Sequence, residues 1–251
     1  MLVLALDTTT RAGSLALMRD DTLLAAESGD SLRTHGERLP EDIIRVLQQH
    51  HVRLSAIDLF AVAAGPGSFT GLRIGIATMQ GLALANAKAL VGVSTLDALA
   101  LAAARQIEKD TSVGTGAIAV WIDAQRQEVF AALYTAAELT SIDGPTVGRP
   151  EEILERWSCV ERNPTWFVGD GAIAYRSVID GPRSPIPNPQ SPIPTSVVLD
   201  PTPLTAPAIA LLAAREAAAG AAPRPHDVRP VYVRRSDAEL ARDRMKARVE
   251  P

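Results

Sequence analysis

Four glycines stand within Gly65-Pro66-Gly67-Ser68-Phe69-Thr70-Gly71-Leu72-Arg73-Ile74-Gly75, the stretch of this chain whose residue types are best suited to chemistry. A turn of this kind running into a helix could cradle phosphate, because backbone N–H groups at a helix N-terminus attract anions. The known templates do not fit it: a Walker loop needs lysine where Leu72 stands, and the dinucleotide fingerprint needs glycine where Thr70 stands. The other reading is packing. Gly71, Gly75, Thr78 and Leu82 recur near one helix face, so that a second helix could approach the backbone closely there. Of the two, packing against a partner is favoured over phosphate binding.

Two aspartates, Asp7 and Asp123, each end an apolar run, Leu4-Ala5-Leu6-Asp7 and Val120-Trp121-Ile122-Asp123, and each leads through a polar turn into a second apolar run. This is a faint internal duplication, which suggests two copies of one β-rich α/β unit; two short matches could also coincide. The histidines do not make a metal site, since a helical two-histidine site needs its ligands one turn apart on one face. His35 has Leu39 four residues on, and the adjacent His50 and His51 diverge from a helix end. His35 is read instead as a hydrogen-bonding residue at a helix start or an interface. Ser14, Ser68 and Ser94 have no evident base beside them, which argues against a peptidase. Cys159 is the single cysteine, so an internal disulfide is excluded and a reduced cytoplasmic thiol is expected.

The elements that must position these groups follow from periodicity. Leu2 to Leu6, Ser14 to Met18 and Thr22 to Glu27 read as a three-stranded meander. His35 to His51 carries Leu39, Ile43, Val46 and Leu47 at helical spacing, with Pro40 expected to mark its first turn or a kink. Leu59 to Ala64 is an unbroken apolar run, as in a strand buried on both faces, and a long helix is predicted from about Gly71 to Ala87. Leu90 to Val93 forms a short strand, and Ser94 with Asp97 caps an alanine-rich helix reaching about Lys109. After a linker, Ala117 to Asp123 and Val129 to Tyr134 repeat the opening pattern, Glu151 to Trp157 is a short helix, Trp166 to Val168 a strand, and Gly169-Asp170-Gly171 a turn. Prolines crowd Gly181 to Pro207, predicted to be a surface loop; Pro207 to Ala219 is a helix, and Asp237 to Arg248 a charged tail.

Composition limits the function classes. With 47% hydrophobic and 22% charged residues the chain has the makings of a folded core. Its net charge of −4 lacks the electrostatic footprint expected of an autonomous nucleic-acid binder. Arg73, Gln80, Asn86 and Lys88 interrupt the longest apolar stretch, so no membrane span is expected, and the start lacks the basic region of a secretory signal.

Several segments taken together resemble the TsaB (YeaZ) family: the Gly65 to Gly75 run, Asp7-Thr8-Thr9, Arg33-Thr34-His35, Val93 to Ala100, Ile122-Asp123-Ala124, Glu128-Val129-Phe130 and Pro230-Val231-Tyr232-Val233-Arg234. The likeness covers nearly the whole chain and weakens over the proline-rich segment; Gln80 stands where the family has lysine. It implies an α/β fold of two ribonuclease-H-like halves of the actin/Hsp70/sugar-kinase type, each a mixed sheet packed with helices, residues 1–110 and 111–251. Small residues follow the strand-end aspartates in ATP-using members of that superfamily; here Thr9, Gln125 and Arg126 occupy those places, and the second phosphate loop is read as lost. Asp7, Thr8, Thr9, Asp123, Gly169 and Gly171 would be the vestige of a nucleotide site.

The resemblance further implies a non-catalytic, cytoplasmic subunit with no cofactor, which binds and activates a TsaD-like catalytic subunit that makes threonylcarbamoyladenosine at adenosine 37 of tRNA. A TsaE-like ATPase is a further partner, a homodimer is possible, and tRNA is engaged only through the complex. The expected partner-binding residues are His35, Leu39, Gly67, Ser68, Phe69, Thr70, Gly71, Arg73, Gly75 and Thr78. The alternative is an enzyme of the same superfamily, either an ATP-dependent transferase or a glycoprotease-like peptidase.

Overall fold

The computed structural model describes residues 1–110, 116–158, 160, 164–181, 196–220 and 223–234. Cys159, most of the proline-rich segment and the charged tail from residue 235 lie outside these residues.

The first half opens as the predicted meander. β1 (Leu2–Asp7) pairs antiparallel with β2 (Ser14–Arg19), and β2 pairs antiparallel with β3 (Thr22–Ser28). After α1 (His35–Gln49) the chain enters β4 (Leu59–Gly65), which lies parallel to β1. α2 (Phe69–Ala85) then crosses to β5 (Ala89–Ser94), parallel to β4, and α3 (Thr95–Asp110) follows. β1 and β4 are buried along their whole length, as unbroken apolar runs at the centre of a covered sheet must be. Pro40 lies in the second turn of α1, beyond the first-turn place expected of it, and its missing N–H falls opposite the exposed Gly36.

The second half repeats the plan with β6 (Ala117–Asp123), β7 (Val129–Thr135), β8 (Ser141–Gly148), α4 (Pro150–Ser158), β9 (Pro164–Val168), the short helices α5 (Asp170–Ala174) and α6 (Arg176–Ile179), β10 (Val197–Val198) and α7 (Ala206–Ala218). The strand orders are β3-β2-β1-β4-β5 and β10-β9-β6-β7-β8. Reading the second list backwards gives the same order, with β6 in the place of β1. The duplication suggested by Asp7 and Asp123 is therefore present in the topology, and each sheet is mixed.

Alternation along the strands sends residues to two faces of each sheet. Leu4, Leu6, Phe60 and Val62 meet α1 and α2 through Leu39, Ile43, Ile76 and Met79. Val3, Ala5, Ala61 and Val91, on the other face, meet Ala206, Ile209, Ala210 and Ala213 of α7. In the second half Ile118, Val120 and Ile122 pack on Leu96, Leu99, Ala100 and Ala103 of α3, while Trp121 and Phe167 pack on Ile153 and Trp157 of α4. Strands divide between the halves in chain order; the inner helices do not. α3, from the first half, covers the second sheet, and α7, from the end of the chain, covers the first.

Candidate functional site

The two strand-end turns face a common cleft of about 1120 Å³. On one wall Asp7 is 2% exposed, and its Oδ1 accepts hydrogen bonds from the N–H of Thr9 at 2.8 Å and the hydroxyl of Thr9 at 2.6 Å. The hydroxyl of Thr205, just before α7, donates to the other oxygen. Thr8 donates its hydroxyl to the carbonyl of Gly71 at 2.8 Å, and the N–H of Ser68 donates to the carbonyl of Thr9 at 2.9 Å.

The glycines of the motif serve this contact. A Cβ at Gly71 would lie 2.0 Å from the carbonyl oxygen of Thr8, one at Gly75 2.2 Å from the Thr8 hydroxyl, and one at Gly67 2.4 Å from Cβ of Thr9. α2 therefore packs its small-residue face on the β1 turn of its own chain. This corrects the expectation that Gly71 and Gly75 offer a face to a partner; both are buried within the monomer. Leu39 is likewise 2% exposed in the core of the first half, and so is not a surface residue.

His35 is also turned inward. Its Nε2–H donates to the carbonyl of Thr10 at 3.0 Å, and its Nδ1 accepts from the guanidinium of Arg38 at 2.9 Å. This pair of bonds defines a neutral ring, and burial followed by the charge of Arg38 holds its pKa below the ordinary histidine value despite the Thr10 carbonyl. Arg38, itself buried, donates to Asp42 at 2.7 Å and to the carbonyl of Ala12. A Cβ at Gly29 would lie 1.8 Å from this guanidinium, so a side chain there would displace the arginine head from its place. His35 is thus a helix-start residue that ties the β1 turn to α1.

The opposite wall is the turn between β6 and β7. Asp123 Oδ1 accepts from the N–H of Gln125 at 2.9 Å, the counterpart of the bond from Thr9 to Asp7, while Oδ2 accepts from the Gln125 amide at 2.6 Å. Gln125, Arg126 and Gln127 have φ of 60°, 59° and 61°, a left-handed run of three non-glycine residues that costs about 1–2 kcal/mol each. The turn is closed by Ala124 N–H to the Glu128 carbonyl at 3.0 Å and clamped by Arg234, which donates to the Ala124 carbonyl at 2.6 Å and pairs with Glu128.

Behind this turn Gly169 has φ +112°, and a Cβ there would lie 2.0 Å from the carbonyl oxygen of Trp121. Gly171 packs against the backbone of Trp121, Ile122 and Asp123. Between them Asp170 accepts from the N–H groups of Asp123 at 3.0 Å and Gly171 at 2.9 Å. Burial raises its pKa above the usual carboxylate value, aided by the charges of Asp123 and Asp7, and outweighs the two N–H donors.

The outer rim belongs to α2 and the chain's last described segment. Ser68 caps α2, accepting from the N–H of Gly71 at 3.2 Å. Phe69, 41% exposed, stacks on Tyr232 with centroids 5.1 Å apart, and the Arg73 guanidinium lies 3.8 Å from the Phe69 centroid while its Nε–H donates to the Tyr232 hydroxyl at 3.1 Å. Thr70 is exposed and Thr78 half-buried. Sequence reasoning gave no role to Gln80, whose amide donates to the carbonyls of Pro225 at 2.9 Å and Val228 at 3.1 Å and so docks this terminal segment. The Pro230 to Arg234 run was its one readable signal. Among the described residues, no group of three His, Cys, Asp or Glu is placed to hold a metal ion, and no helix is long and apolar enough to cross a membrane.

Two halves of matching topology, each with a central strand that ends in an aspartate and a turn that reaches the cleft between them, place the molecule in the actin, Hsp70 and sugar-kinase class of fold. The family model described as TsaD, tRNA N6-adenosine threonylcarbamoyltransferase, matches residues 29–181. The tRNA threonylcarbamoyladenosine biosynthesis protein TsaB of Escherichia coli is 33% identical over 159 residues, 62% of this chain and 66% of that protein. The Haemophilus influenzae protein of the same name is 42% identical over 82 residues, 32% of this chain and 34% of that protein, so the chain spans less than two thirds of these curated relatives. A Pseudomonas aeruginosa crystal structure described as similar to peptidase YEAZ superposes with a TM-score of 0.70 at 30% identity, covering 93% of this chain and 99% of that one. YeaZ from the same organism gives 0.69 at 29% identity over 92% and 99%. The chain belongs to the TsaB (YeaZ) family.

Proposed function

We propose that this protein is a non-catalytic, cytoplasmic subunit in the formation of threonylcarbamoyladenosine on tRNA, binding and activating a TsaD-like catalytic subunit. The observation that carries the non-catalytic part is the commitment of both strand-end aspartates. Asp7, 2% exposed, is enclosed by Thr9 and Thr205, and the Gln125 side chain lies on Asp123 in the turn where a phosphate would need small residues, which supports a site not built for a nucleotide. The pathway is that of the Escherichia coli relative, a tRNA threonylcarbamoyladenosine biosynthesis protein. A TsaE-like ATPase is a further partner in this reading, and a homodimer is an alternative use of the same surface.

The partner surface is the outward stripe of α2, Ala77, Gly81 and Leu84, exposed residues that do not line the cleft. It lies opposite the Gly71 and Gly75 face and keeps the small residues that let a second helix come close. The test is an assay with ATP, threonine, bicarbonate and tRNA, run with and without the other proteins of the pathway. Modified tRNA should form only when a TsaD-like subunit is added, and should fall when this chain is omitted. Turnover by this chain alone would overturn the assignment.

A further inference from the structure

We infer that the mouth of the cleft is an RNA contact surface, which grips single-stranded RNA between its arginines and an exposed aromatic ring. This rests on reading the chain as a tRNA-modification subunit and goes beyond the indirect contact with tRNA expected from composition.

Charge is the first ground. The chain carries −4 overall, yet Arg11, Arg33, Arg73, Arg126 and Arg234 line the cleft against only two acids, Asp123 and Asp170. Arg33 is paired with Glu41, and Arg234 with Glu128. Arg11 is exposed and pairs with no acid among the described residues, and Arg73 is held by a phenol hydroxyl and a ring face rather than by a carboxylate. Both keep a full positive charge for a ligand. Averaging over the sequence hides this reversal, because acids elsewhere on the surface cancel it.

The rings are the second ground. Phe69 and Tyr232 are 41% and 42% exposed at the same rim, stacked on one another beside Arg73. Phe69 is covered by Tyr232 and Arg73, so the platform offered is the Tyr232 ring; a positive groove with an aromatic platform is the arrangement that holds single strands, phosphates on the arginines and a base on the ring. An acidic peptide would use the arginines and leave the ring without purpose.

The test uses the full chain and a fluorescein-labelled RNA stem-loop with a single-stranded loop, followed by anisotropy across a salt series. The variants are Arg11→Gln, the double Arg11→Glu with Arg73→Glu, Tyr232→Ala, and Arg105→Glu on the exposed side of α3 as control. Arg11→Gln should weaken binding and reduce the salt slope by about 1; the double variant should lose at least about tenfold, and Tyr232→Ala about tenfold. The control should bind as the parent does. Among the described residues Arg11 makes no side-chain bond that its replacement could break, so its result stands even if the double variant misfolds.

Absence of binding at low salt, or an Arg11→Gln affinity and salt slope equal to the parent's, overturns the inference. So does displacement of the RNA by polyglutamate more readily than by unlabelled RNA, which would mark the cleft as an acidic-peptide site. Retained RNA binding with no association to a TsaD-like subunit would overturn the subunit reading alone; the opposite pair of results would overturn only the cleft.

Discussion

At the scale of single residues, His35 gives the clearest dependence on conditions. Its ring accepts from Arg38 and donates to Thr10; the bond from Arg38 needs the neutral form, whereas the Thr10 carbonyl would accept from the protonated ring as well. Protonation would set a cation against the Arg38 guanidinium, with Asp7 the acid that opposes this effect and Asp42 bound on the far side of Arg38. Because the folded pKa lies below the unfolded value near 6.5, the unfolded chain binds more protons in that window, and stability falls as pH drops from about 6.5 toward the folded pKa. The melting temperature should therefore decline on mild acidification, and His35→Gln, which keeps a donor and an acceptor but does not titrate, should flatten that decline. An unchanged pH profile in the variant would remove His35 as the cause. The sequence pointed to His35 as a hydrogen-bonding residue at a helix start or an interface because Leu39, not a second histidine, lies one turn on; α1 does begin there, with the Thr34 N–H donating to Glu37 at 2.8 Å. Its bond to Thr10 was hidden, since nothing local brings residue 10 to residue 35.

At the scale of elements, α2 separates what periodicity tells from what it leaves open. The spacing of Gly71 and Gly75 marked a face needing close approach, which is right, but helical spacing does not say what approaches. The neighbour is Thr8, reached because β1 and β4 are parallel and the β1 turn ends beneath the start of α2. Gly81 is the contrasting glycine: exposed, with nothing within 4 Å of a Cβ built there. Gly81→Ala should accordingly stabilise by about 1 kcal/mol through helix propensity, raising the melting temperature by about 2–4 °C. Gly75→Ala should destabilise by about 1–3 kcal/mol through overpacking. Ala77→Arg, on the outward stripe, should leave the melting curve in place while weakening association with a TsaD-like subunit at least tenfold in a pull-down titration. Equal and opposite results for the two glycines would show that the assigned faces are reversed, and a folded Ala77→Arg that still binds at parent affinity would move the interface elsewhere.

For the whole molecule, sequence order and spatial order part company. The meander, the crossover strands and the repeat at Asp123 were legible because each is set by local alternation and turn residues. The cross-packing of α3 and α7 was not, since an alanine-rich amphipathic helix shows that it is covered but not by which sheet. Ser14 and Thr205 fix α7 on the first half: the Ser14 hydroxyl accepts from the N–H of Ala206 at 3.0 Å, and the Thr205 hydroxyl donates to Asp7. Burying Ile209 and Leu211 there contributes about 1.5–3 kcal/mol each, before Ala206, Ala208, Ala210 and Ala213 are counted. The sum is a large part of the roughly 5–15 kcal/mol that holds a domain together. A fragment of residues 1–110 would expose Val3, Ala5, Ala61, Ala63 and Val91 where α7 belongs, and would leave the α3 face that meets the second sheet equally bare. It should fail to melt cooperatively, shown by a broad circular-dichroism transition and poor amide dispersion in NMR, although it contains the whole first sheet. Joining residues 196–220 to it through a flexible linker should recover cooperativity in part, because α7 would again cover the apolar face while α3 stays uncovered. A fragment of residues 1–110 that melts as sharply as the full chain would show that α7 is not needed to complete the first half.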